Sequence, residues 1–385
     1  MKILTVDIGT GTQDILLYDS NLAIENGYKL ILPSPTLQIH RQIQAATRQK
    51  EALLLTGHMM GGGPSAWAAE AHARAGLPIY ATPDAARTFN DNLDKVRAMG
   101  IQIIAEEEAR RLPKTIQRLE MTDFDFPLLA ETFSRFGLTL RDLAAVAVAV
   151  FDHGDTPPGI SNRQSRFDYL DERLRARNTL TSFAYSTAEI PSSMTRLQAV
   201  ATAARTVDAP LIVMDSAPAA ILGATFDPYV AARPQKLVAN LGNFHCLAFR
   251  LGEHGVEGLF EHHTGEIDLP RLTTLLRRLA AGTLTHAEIF NDMGHGALLY
   301  DQTPLELGRG DWDVAVTGPR RTLMNAPASG DFLAPCFATP FGDMMLSGNI
   351  GLLAAVADQL PGLGEHIRPS LAGHAPQSAP WDLAA

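Results

Sequence analysis

Cysteine is nearly absent from this 385-residue sequence, which contains only Cys246 and Cys336. The two lie far apart in the chain and lack CxxC spacing, so the sequence provides neither a disulfide framework nor a cysteine-based zinc or iron–sulfur site. We expect both thiols to be buried and to act as small hydrophobic side chains.

A membrane-spanning run and an excess of positive charge are also missing. The longest apolar stretch, residues 143–151, is far shorter than the roughly 20 residues that cross a bilayer. We also expect no signal peptide, since no basic start is followed by an apolar stretch and a small-residue cleavage site. The formal net charge is −10, whereas nucleic acids and anionic membranes attract basic surfaces. We therefore predict a cytoplasmic protein with neither nucleic acid nor a membrane as its partner.

Strand-like and helix-like segments alternate along the chain and predict two α/β domains, which we place at residues 1–228 and 229–385. The first 35 residues read as an antiparallel meander of three strands. Helical and strand patterns alternate after it, which is typical of a largely parallel sheet covered by helices.

One strand–turn–strand pattern occurs twice, in "KILTVDIGTGTQDILLYD" (2–19) and in "KLVANLGNFHCLAFRLG" (236–252). In each unit an apolar strand ends in a polar residue, a glycine turn follows, and a second apolar strand returns. Glycine lets an anion approach the backbone N–H groups closely, and Thr10 and Thr12 add hydroxyl donors to the first turn.

Asp7 ends the first strand of the first unit. A carboxylate there would repel a phosphate unless Mg²⁺ or water lay between them. The acid and the donor-rich turn therefore predict a metal–phosphate site, and two such turns facing each other would clamp the phosphates of one nucleotide. A plain hairpin turn, with Asp7 as its capping acid, is the alternative interpretation.

Five segments resemble, in the same order, the motifs of the superfamily that contains actin, the heat-shock chaperone ATPases and the sugar and acetate kinases. They are "DIGTGTQD" (7–14) for the first phosphate loop, "MDSAPAAILGA" (214–224) for the first connecting helix, "VANLGNFHCLAF" (238–249) for the second phosphate loop, "VAVTGPRRT" (314–322) for the adenosine strand and turn, and "DMMLSGNIGLLAAV" (343–356) for the second connecting helix. The resemblance implies an α/β fold of two ribonuclease H-like (actin-like ATPase) domains with a nucleotide cleft between them. It also implies ATP and Mg²⁺ as cofactors.

Carried onto this chain, the resemblance implies a role for each matched residue. Asp7 would hold Mg²⁺, while the two loops would grip the phosphates and the later turn the adenosine. The implied cofactor-binding residues are Gly9, Thr10, Gly11, Thr12, Asn240, Gly242, Asn243, Gly318 and Arg320.

Two positions depart from the superfamily pattern. Asn240 stands where an aspartate usually positions metal or water, so it offers hydrogen bonds without charge and leaves metal binding to Asp7. Pro319 replaces a glycine and removes a backbone donor. Arg320 would compensate by stacking on adenine or by reaching a phosphate, and an exposed arginine without such a role is the alternative.

The superfamily has two crossover strands in its first domain, whereas this chain has three candidates. They are "EALLLT" (51–56), "AVAVAVF" (145–151) and "PLIVMD" (210–215). One of the three therefore belongs to an insertion.

The segments "GTQDILLYD", "TGHMMGGGP", "FDHGDTPPG" and "EHHTG" further resemble a family labelled pyruvate formate-lyase-activating-enzyme-like. A radical activase of that kind needs three closely spaced cysteines for its iron–sulfur cluster, and two distant cysteines cannot supply them. We therefore exclude that activity.

Ligands of open α/β sheets collect beyond the carboxyl ends of the strands, and two loops carry candidate residues there. In "TGHMMGGGP", His58 is predicted as a donor or base and Gly61 and Gly62 as part of a substrate cradle at a helix N-terminus. In "FDHGD", Asp152 is predicted as the base that phosphoryl transfer needs, with His153 as the second candidate. A flexible connection and a simple polar turn are the respective alternatives.

Two histidine-containing segments, "EHHTGE" (261–266) and "NDMGHG" (291–296), raise the question of a metal site. The candidate ligands would be His262, His263, Asp292 and His295. Their spacing fits no established metal motif, so we expect hydrogen-bonded histidines rather than ligands.

Two functions follow from these residues. The first is an Mg-ATP-binding phosphotransferase or ATPase, whose phosphate acceptor is a small molecule or water. The second, favoured by Asn240, is a nucleotide-responsive switch or activator with little turnover, whose conformation a protein partner reads. The sequence identifies neither the acceptor or partner nor the oligomeric state.

Overall fold

A computed structural model describes residues 1–156, 159–325, 331–374, 379 and 381. Within these residues the strands form three sheets. The strands are β1 (Lys2–Ile8), β2 (Thr12–Asp19), β3 (Tyr28–Pro33), β4 (Leu53–Gly57), β5 (Ile79–Ala81), β6 (Gln102–Ile103), β7 (Gln117–Met121), β8 (Leu143–Val150), β9 (Ala184–Ser186), β10 (Leu211–Asp215), β11 (Lys236–Leu241), β12 (His245–Gly252), β13 (Gly255–His263), β14 (Gly296–Leu299), β15 (Val314–Thr317) and β16 (Pro335–Phe337).

Helices connect these strands and cover the sheets. They are α1 (Pro35–Gln49), α2 (Pro64–Arg74), α3 (Pro83–Ala86), α4 (Leu93–Ala98), α5 (Glu106–Arg111), α6 (Phe126–Ser134), α7 (Asn162–Ala176), α8 (Thr195–Ala203), α9 (Ser216–Ala224), α10 (Pro228–Ala231), α11 (Leu269–Ala280), α12 (His286–Asn291), α13 (Ser347–Gln359) and α14 (Pro361–Leu371). In the described part of the chain, none of them is long and apolar enough to cross a membrane.

The first sheet has the strand order β3-β2-β1-β8-β10-β9. β1, β2 and β3 form the predicted antiparallel meander, β8 and β10 run parallel to β1, and β9 is antiparallel to β10. The sheet is covered on both faces, so β8 reads as a continuous run of alanine and valine that is buried along nearly its whole length.

The second sheet repeats this arrangement in the order β14-β13-β12-β11-β15-β16. β11, β12 and β13 form a second antiparallel meander, and β15 and β16 run parallel to β11. A meander of three strands followed by parallel crossover strands on the side of the first strand is the ribonuclease H-like topology, and the chain has it twice. The predicted fold class is therefore confirmed.

A third sheet, of order β6-β5-β4-β7, is inserted between β3 and β8 and is parallel throughout. Its helices α1 and α2 pack on it over a separate apolar core that includes Ile43, Leu55 and Ala69. The prediction that one of the three candidate strands belongs to an insertion is confirmed, and the segment is "EALLLT", which forms β4. We refer to residues 35–121 as the insertion.

Helices α9 and α13 pack against each other between the two large sheets, and one apolar cluster runs from the first sheet through both helices to the second. Their backbones touch through two glycines: a Cβ at Gly223 would lie 1.6 Å from the Ser347 carbonyl oxygen, and one at Gly351 would lie 1.9 Å from that of Ala219. Only glycine permits so close an approach.

Helix α13 also contacts the first sheet directly. The Asn349 amide donates to the Thr5 carbonyl and hydroxyl oxygens, at 3.0 Å each, and to the Asp14 carbonyl at 2.9 Å. The C-terminal helices thus return to the first sheet, and the domain boundary between residues 228 and 229 stays a prediction.

Candidate functional site

A cavity of about 440 Å³ opens where the two large sheets and the insertion meet. Its lining includes residues 7–12 from the first glycine turn and Asn240, Gly242 and Asn243 from the second. Each turn follows the first strand of its meander, β1 or β11, and these strands are central in their sheets. The duplicated topology therefore carries both turns to one place.

The two turns face each other across the cavity at close range. A Cβ placed on Gly11 would lie 2.7 Å from the Asn243 amide nitrogen. Within the first turn, the backbone N–H of Gly9 donates to the Thr12 carbonyl at 2.9 Å and closes the hairpin. The two predicted turns therefore face each other, and a side chain at position 11 would fill part of the space between them.

Asp7 lies at the floor of the cavity. Its Oδ1 accepts a hydrogen bond from the Ser216 hydroxyl at 2.7 Å, and its Oδ2 lies against Gly348 at the start of α13. Burial raises the pKa of Asp7 to about 6, and the Asp215 carboxylate contributes in the same direction. An enclosed carboxylate of this kind favours a bound cation, because a cation stabilises its charged form.

Asp14 is a second acid at the floor, which the sequence analysis missed. It is directly opposite Asp7 in the β1–β2 register, and both line the cavity. Burial, followed by repulsion from Asp7, raises the pKa of Asp14 to about 8, and its buried Oδ1 has no hydrogen-bond partner among the described residues. The hairpin register of "DIGTGTQD" contains this pairing, so alignment of the two predicted strands could have found it.

Asp152 and His153 also line the cavity, just beyond β8. The Asp152 carboxylate is 2 % exposed and accepts backbone N–H bonds from Gly154 at 2.8 Å and Leu197 at 2.9 Å. Burial raises the pKa of Asp152 to about 6. The carboxylate is therefore held in one orientation, and the predicted base has a fixed position.

The glycine loop of the insertion forms another wall of the cavity. The Gly61 N–H donates to both carboxylate oxygens of Asp123, at 3.1 and 3.2 Å, and Asp123 also binds Arg196 through two N–H···O contacts of 2.7 and 2.9 Å. Gly62 lies against the Thr88 carbonyl, where a Cβ would approach to 2.6 Å. The predicted residues Gly61 and Gly62 thus lie in the cleft with a fixed backbone.

Two predicted residues are not brought into the cavity lining, as far as the structure describes the chain. His58 directly follows β4, and its backbone N–H donates to the Met121 carbonyl at 2.7 Å. This hydrogen bond places His58 beside the insertion sheet and outside the cavity lining. Arg320 is exposed, although Gly318 and Pro319 beside it do line the cavity. Asn240 lies next to Gly318: a Cβ on that glycine, whose φ is +95°, would lie 2.5 Å from the Asn240 amide oxygen.

A buried ion triad joins the two halves of the molecule behind the cleft. Arg166 of α7 donates to Asp215 Oδ2 and to Glu261 Oε2, both at 2.7 Å, and to the Asp152 carbonyl at 2.9 Å. None of the three ionic side chains is more than 2 % exposed. Burial raises the pKa of Glu261 to about 7, and the guanidinium of Arg166 opposes this shift. No local sequence signal distinguishes Arg166 from the other arginines of α7.

Four histidines meet beside this triad: His153, His245, His263 and His295. The centroids of neighbouring rings are 4.7 to 5.5 Å apart. Burial is the main cause that lowers their pKa values, to about 3 for His153 and about 2 for His295, and their closeness to one another adds to it. The rings of the cluster are therefore neutral near pH 7.

The histidines considered in the sequence analysis do not form one group. His262 Nε2 lies 3.5 Å from Asp292 Oδ2 but has no hydrogen-bond partner among the described residues, and Asp292 pairs with Arg271 at 2.6 Å. The hydrogen-bond contact of His262 joins its Nδ1 to the His263 carbonyl at 3.3 Å. His295 instead joins His153 and His245, which lie far from it in the sequence and have no shared motif with it. The spacing of the histidines along the sequence could not reveal that these three side chains meet.

A family model described as "Putative pyruvate format-lyase activating enzyme (DUF1786)" matches residues 60–323. No curated protein matches the sequence.

Among solved structures, the ethanolamine utilization protein EutJ from Carboxydothermus hydrogenoformans is similar at 11 % identity and a TM-score of 0.32, over 91 % of this chain and 89 % of its own. MreB5 of Spiroplasma citri, solved with ADP bound, is similar at 12 % identity and a TM-score of 0.34, over 94 % and 98 %. The ROK hexokinase from Thermus thermophilus is similar at 12 % identity and a TM-score of 0.27, over 97 % and 98 %. We transfer no residue role from these proteins.

Proposed function

The chain belongs to the family whose model carries the format-lyase activating label, and within that family we propose that it is an Mg-ATP-binding phosphotransferase or ATPase rather than a radical activase. The family label does not fit this chain's residues, because Cys246 and Cys336 are its only two thiols and cannot hold an iron–sulfur cluster. The cleft between the two ribonuclease H-like units supports the proposal of nucleotide binding instead.

The observation that carries the proposal is the face-to-face placement of the two glycine turns. Gly11 and Asn243 approach so closely that a Cβ on the glycine would contact the amide, and both turns line one cavity. Backbone N–H groups and hydroxyls that converge from two sides are suited to a chain of phosphates. The nucleotide phosphates would lie between residues 9–12 and residues 242–243.

The floor of the cavity fits Mg²⁺. Mg²⁺ prefers oxygen ligands and keeps several of its waters, so one or two carboxylates are enough to hold it. Asp7 and Asp14 provide them, and the unpartnered Oδ1 of Asp14 is consistent with a cation there. The ion would neutralise the charge of the phosphates during transfer.

The wall formed by the insertion supports an acceptor other than water. It adds polar groups of Arg87, Thr88, Asn90 and Asp91 to the cavity, next to the fixed glycine loop. Asp152, oriented by two backbone N–H bonds, would accept the proton of the attacking hydroxyl, since its pKa of about 6 leaves it ionised at pH 7. A small polar molecule is the class of acceptor that such a wall would hold.

The proposal is tested by calorimetric titration of ATP into the protein with and without Mg²⁺. We expect Mg²⁺-dependent binding that Asp7→Asn weakens by about tenfold or more, which corresponds to about 1.4 kcal/mol. Asp94→Asn is the matched control, because Asp94 is exposed and pairs only with Arg97 among the described residues. Folded protein that binds no nucleotide, or binds it equally well after Asp7→Asn, would refute the proposal.

The second candidate function is a nucleotide-responsive switch with little turnover. Asn240 supports it, since this residue adjoins Gly318 in the cleft but carries no charge with which to hold a metal or to activate water. In that case ATP would bind as described above, while ATP hydrolysis and transfer would both be slow or absent.

A further inference from the structure

The histidine cluster at the base of the cleft has a feature that nucleotide binding does not use. In the described part of the chain, ligand nitrogens of His153, His245 and His295 all lie within 4.8 Å of one another. His153 follows β8 of the first sheet, whereas His245 and His295 belong to the second unit. Three imidazoles from both halves of the molecule therefore converge on one point.

Polar atoms at this point are buried without partners. His153 Nδ1, His295 Nδ1 and Glu261 Oε1 each have no hydrogen-bond partner within the described residues, and His295 is 1 % exposed. An unpaired buried polar atom costs free energy. His295 Nδ1 and Glu261 Oε1 lie 3.5 Å apart and face each other, so His153 Nδ1 is the buried nitrogen that a ligand bound at this point would satisfy.

The carboxylate behind the rings is placed as a supporting group. Glu261 Oε1 lies 3.5 Å from His295 Nδ1 and 3.8 Å from His245 Nδ1, while Glu261 Oε2 is held by Arg166 at 2.7 Å. A histidine that binds a metal through one ring nitrogen commonly turns the other toward a carboxylate. In such an arrangement the Nε2 atoms of His245 and His295 would be the ones that bind the metal.

The donor set selects the class of metal. Mg²⁺ and Ca²⁺ require oxygen ligands, whereas three imidazoles suit zinc and neighbouring divalent transition metals. The ligand nitrogens of a tetrahedral zinc site are about 3.3 Å apart, as follows from Zn–N bonds of about 2.0 Å.

We propose that His153, His245 and His295 bind a divalent transition metal ion of the zinc class, with Glu261 as the carboxylate that orients two of the rings. His153 and His245 line the cavity, so a fourth coordination position on the side of the cleft would be available to a water or to a substrate oxygen. Three protein ligands with one open position are typical of catalytic zinc. The ion is separate from the Mg²⁺ of the proposed nucleotide site and does not depend on it.

The charges around the site allow a dication. Arg166 lies beside the cluster, since its guanidinium packs 4.0 Å from the centroid of Phe151 and the ring of His245 lies 4.1 Å from the same phenyl group. This guanidinium is balanced by the two buried carboxylates of Asp215 and Glu261. The triad itself therefore carries one net negative charge. Of the two other arginines that act on the cluster, Arg196 is paired with Asp123, and Arg163 donates to the Phe290 and Gly294 carbonyls.

The test uses the full chain, first stripped of metal with a chelator and then titrated with Zn²⁺ or Co²⁺. We expect one ion per chain, measured by metal analysis after gel filtration, and a visible Co²⁺ spectrum of the tetrahedral type. Because the ligands are imidazoles, an excess of Mg²⁺ should displace neither ion. Nucleotide is left out, so the result stands whether or not ATP binds.

Variants identify the ligands. His245→Gln and His153→Gln should each weaken Zn²⁺ binding by about 100-fold or more, because loss of a partner that only supports a ligand already costs about 10- to 100-fold. His254→Gln, in the exposed β12–β13 turn, should leave the affinity unchanged. Circular dichroism of each variant establishes that it is folded, and His245 is the preferred position because its side chain is 15 % exposed.

Two results would overturn the proposal. One is a folded, stripped wild-type protein that binds neither Zn²⁺ nor Co²⁺ at micromolar concentration. The other is binding that persists unchanged in both folded ligand variants, which would place the ion elsewhere.

Discussion

Arg166 donates from its Nε to Glu261 Oε2 across 2.7 Å, and neither side chain has any exposed surface. The arginine belongs to α7 of the first unit and the glutamate to β13 of the second, so one ion pair spans the base of the cleft. It holds Glu261 beside the histidine cluster and Asp215 beside the Asp7 carboxylate. The proposed nucleotide site and the proposed metal site therefore share this arginine as their structural support.

Arg166→Met should destabilise the protein by about 3–5 kcal/mol, because it leaves the buried carboxylates of Asp215 and Glu261 without their partner. Urea unfolding followed by circular dichroism measures the free energy of unfolding. Arg135→Ala is the control, since Arg135 is 74 % exposed and pairs only on the surface with Glu131, and its effect should be far smaller. Equal effects of the two substitutions would contradict a structural role for the triad.

Gly351→Ala should destabilise the contact between α9 and α13, because the new Cβ would lie 1.9 Å from the Ala219 carbonyl oxygen. That oxygen belongs to the backbone of α9 and cannot rotate away as a side chain could. Overpacking of this kind costs about 1–3 kcal/mol. Gly362→Ala in α14 is the control, as a Cβ there meets nothing within 4 Å among the described residues. The same denaturant titration compares them, and a neutral Gly351→Ala would show that the helices separate easily.

Asp152→Asn distinguishes a phosphotransferase from a switch. If Asp152 is the base, turnover should fall by about 100-fold or more, while calorimetric affinity for Mg-ATP stays the same. Asp155→Asn, an exposed residue of the same loop, should leave turnover intact. Phosphate release and ATP titration are the two measurements, and unchanged turnover in folded Asp152→Asn would remove this residue from the mechanism.

His72 should make the stability of the insertion depend on pH. It is buried between the Thr47 hydroxyl at 2.9 Å and the Pro78 carbonyl at 3.3 Å, and burial lowers the pKa of His72 below its ordinary value of 6.5. The unfolded chain then binds a proton more readily than the folded one, so this stability is complete above pH 6.5 and is lost as the pH falls.

Hydrogen exchange of β4 and β5 at pH 5.5 and 7.5 would detect the change. Protection should decrease at the lower pH in the wild type, and the decrease should be smaller in His72→Gln, which does not titrate. His254→Gln should behave as the wild type. Identical pH dependence in all three proteins would assign the effect to other groups.

Much of the fold could be predicted because its signals are local. The apolar alternation and glycine turn of residues 2–19 and 236–252 specify hairpins directly, and both form as predicted. The segment 343–356, which resembles the second connecting helix, becomes helical only at Ser347, after a tight turn at Met344–Leu346. The sequence showed that three candidate segments exist for two crossover strands. Only the pairing of strands in the sheets decided that β4 lies in the insertion.

The sequence by itself determined the elements whose causes lie within about twenty residues: the two glycine turns, the small-residue helices α9 and α13, and the acid at position 7. Tertiary structure alone decided which distant groups meet. His153, His245 and His295 lie on separate elements, and Arg166 reaches Glu261 across 95 positions. Such contacts depend on how whole sheets and helices pack around a shared core, and no periodicity in a single segment encodes that packing.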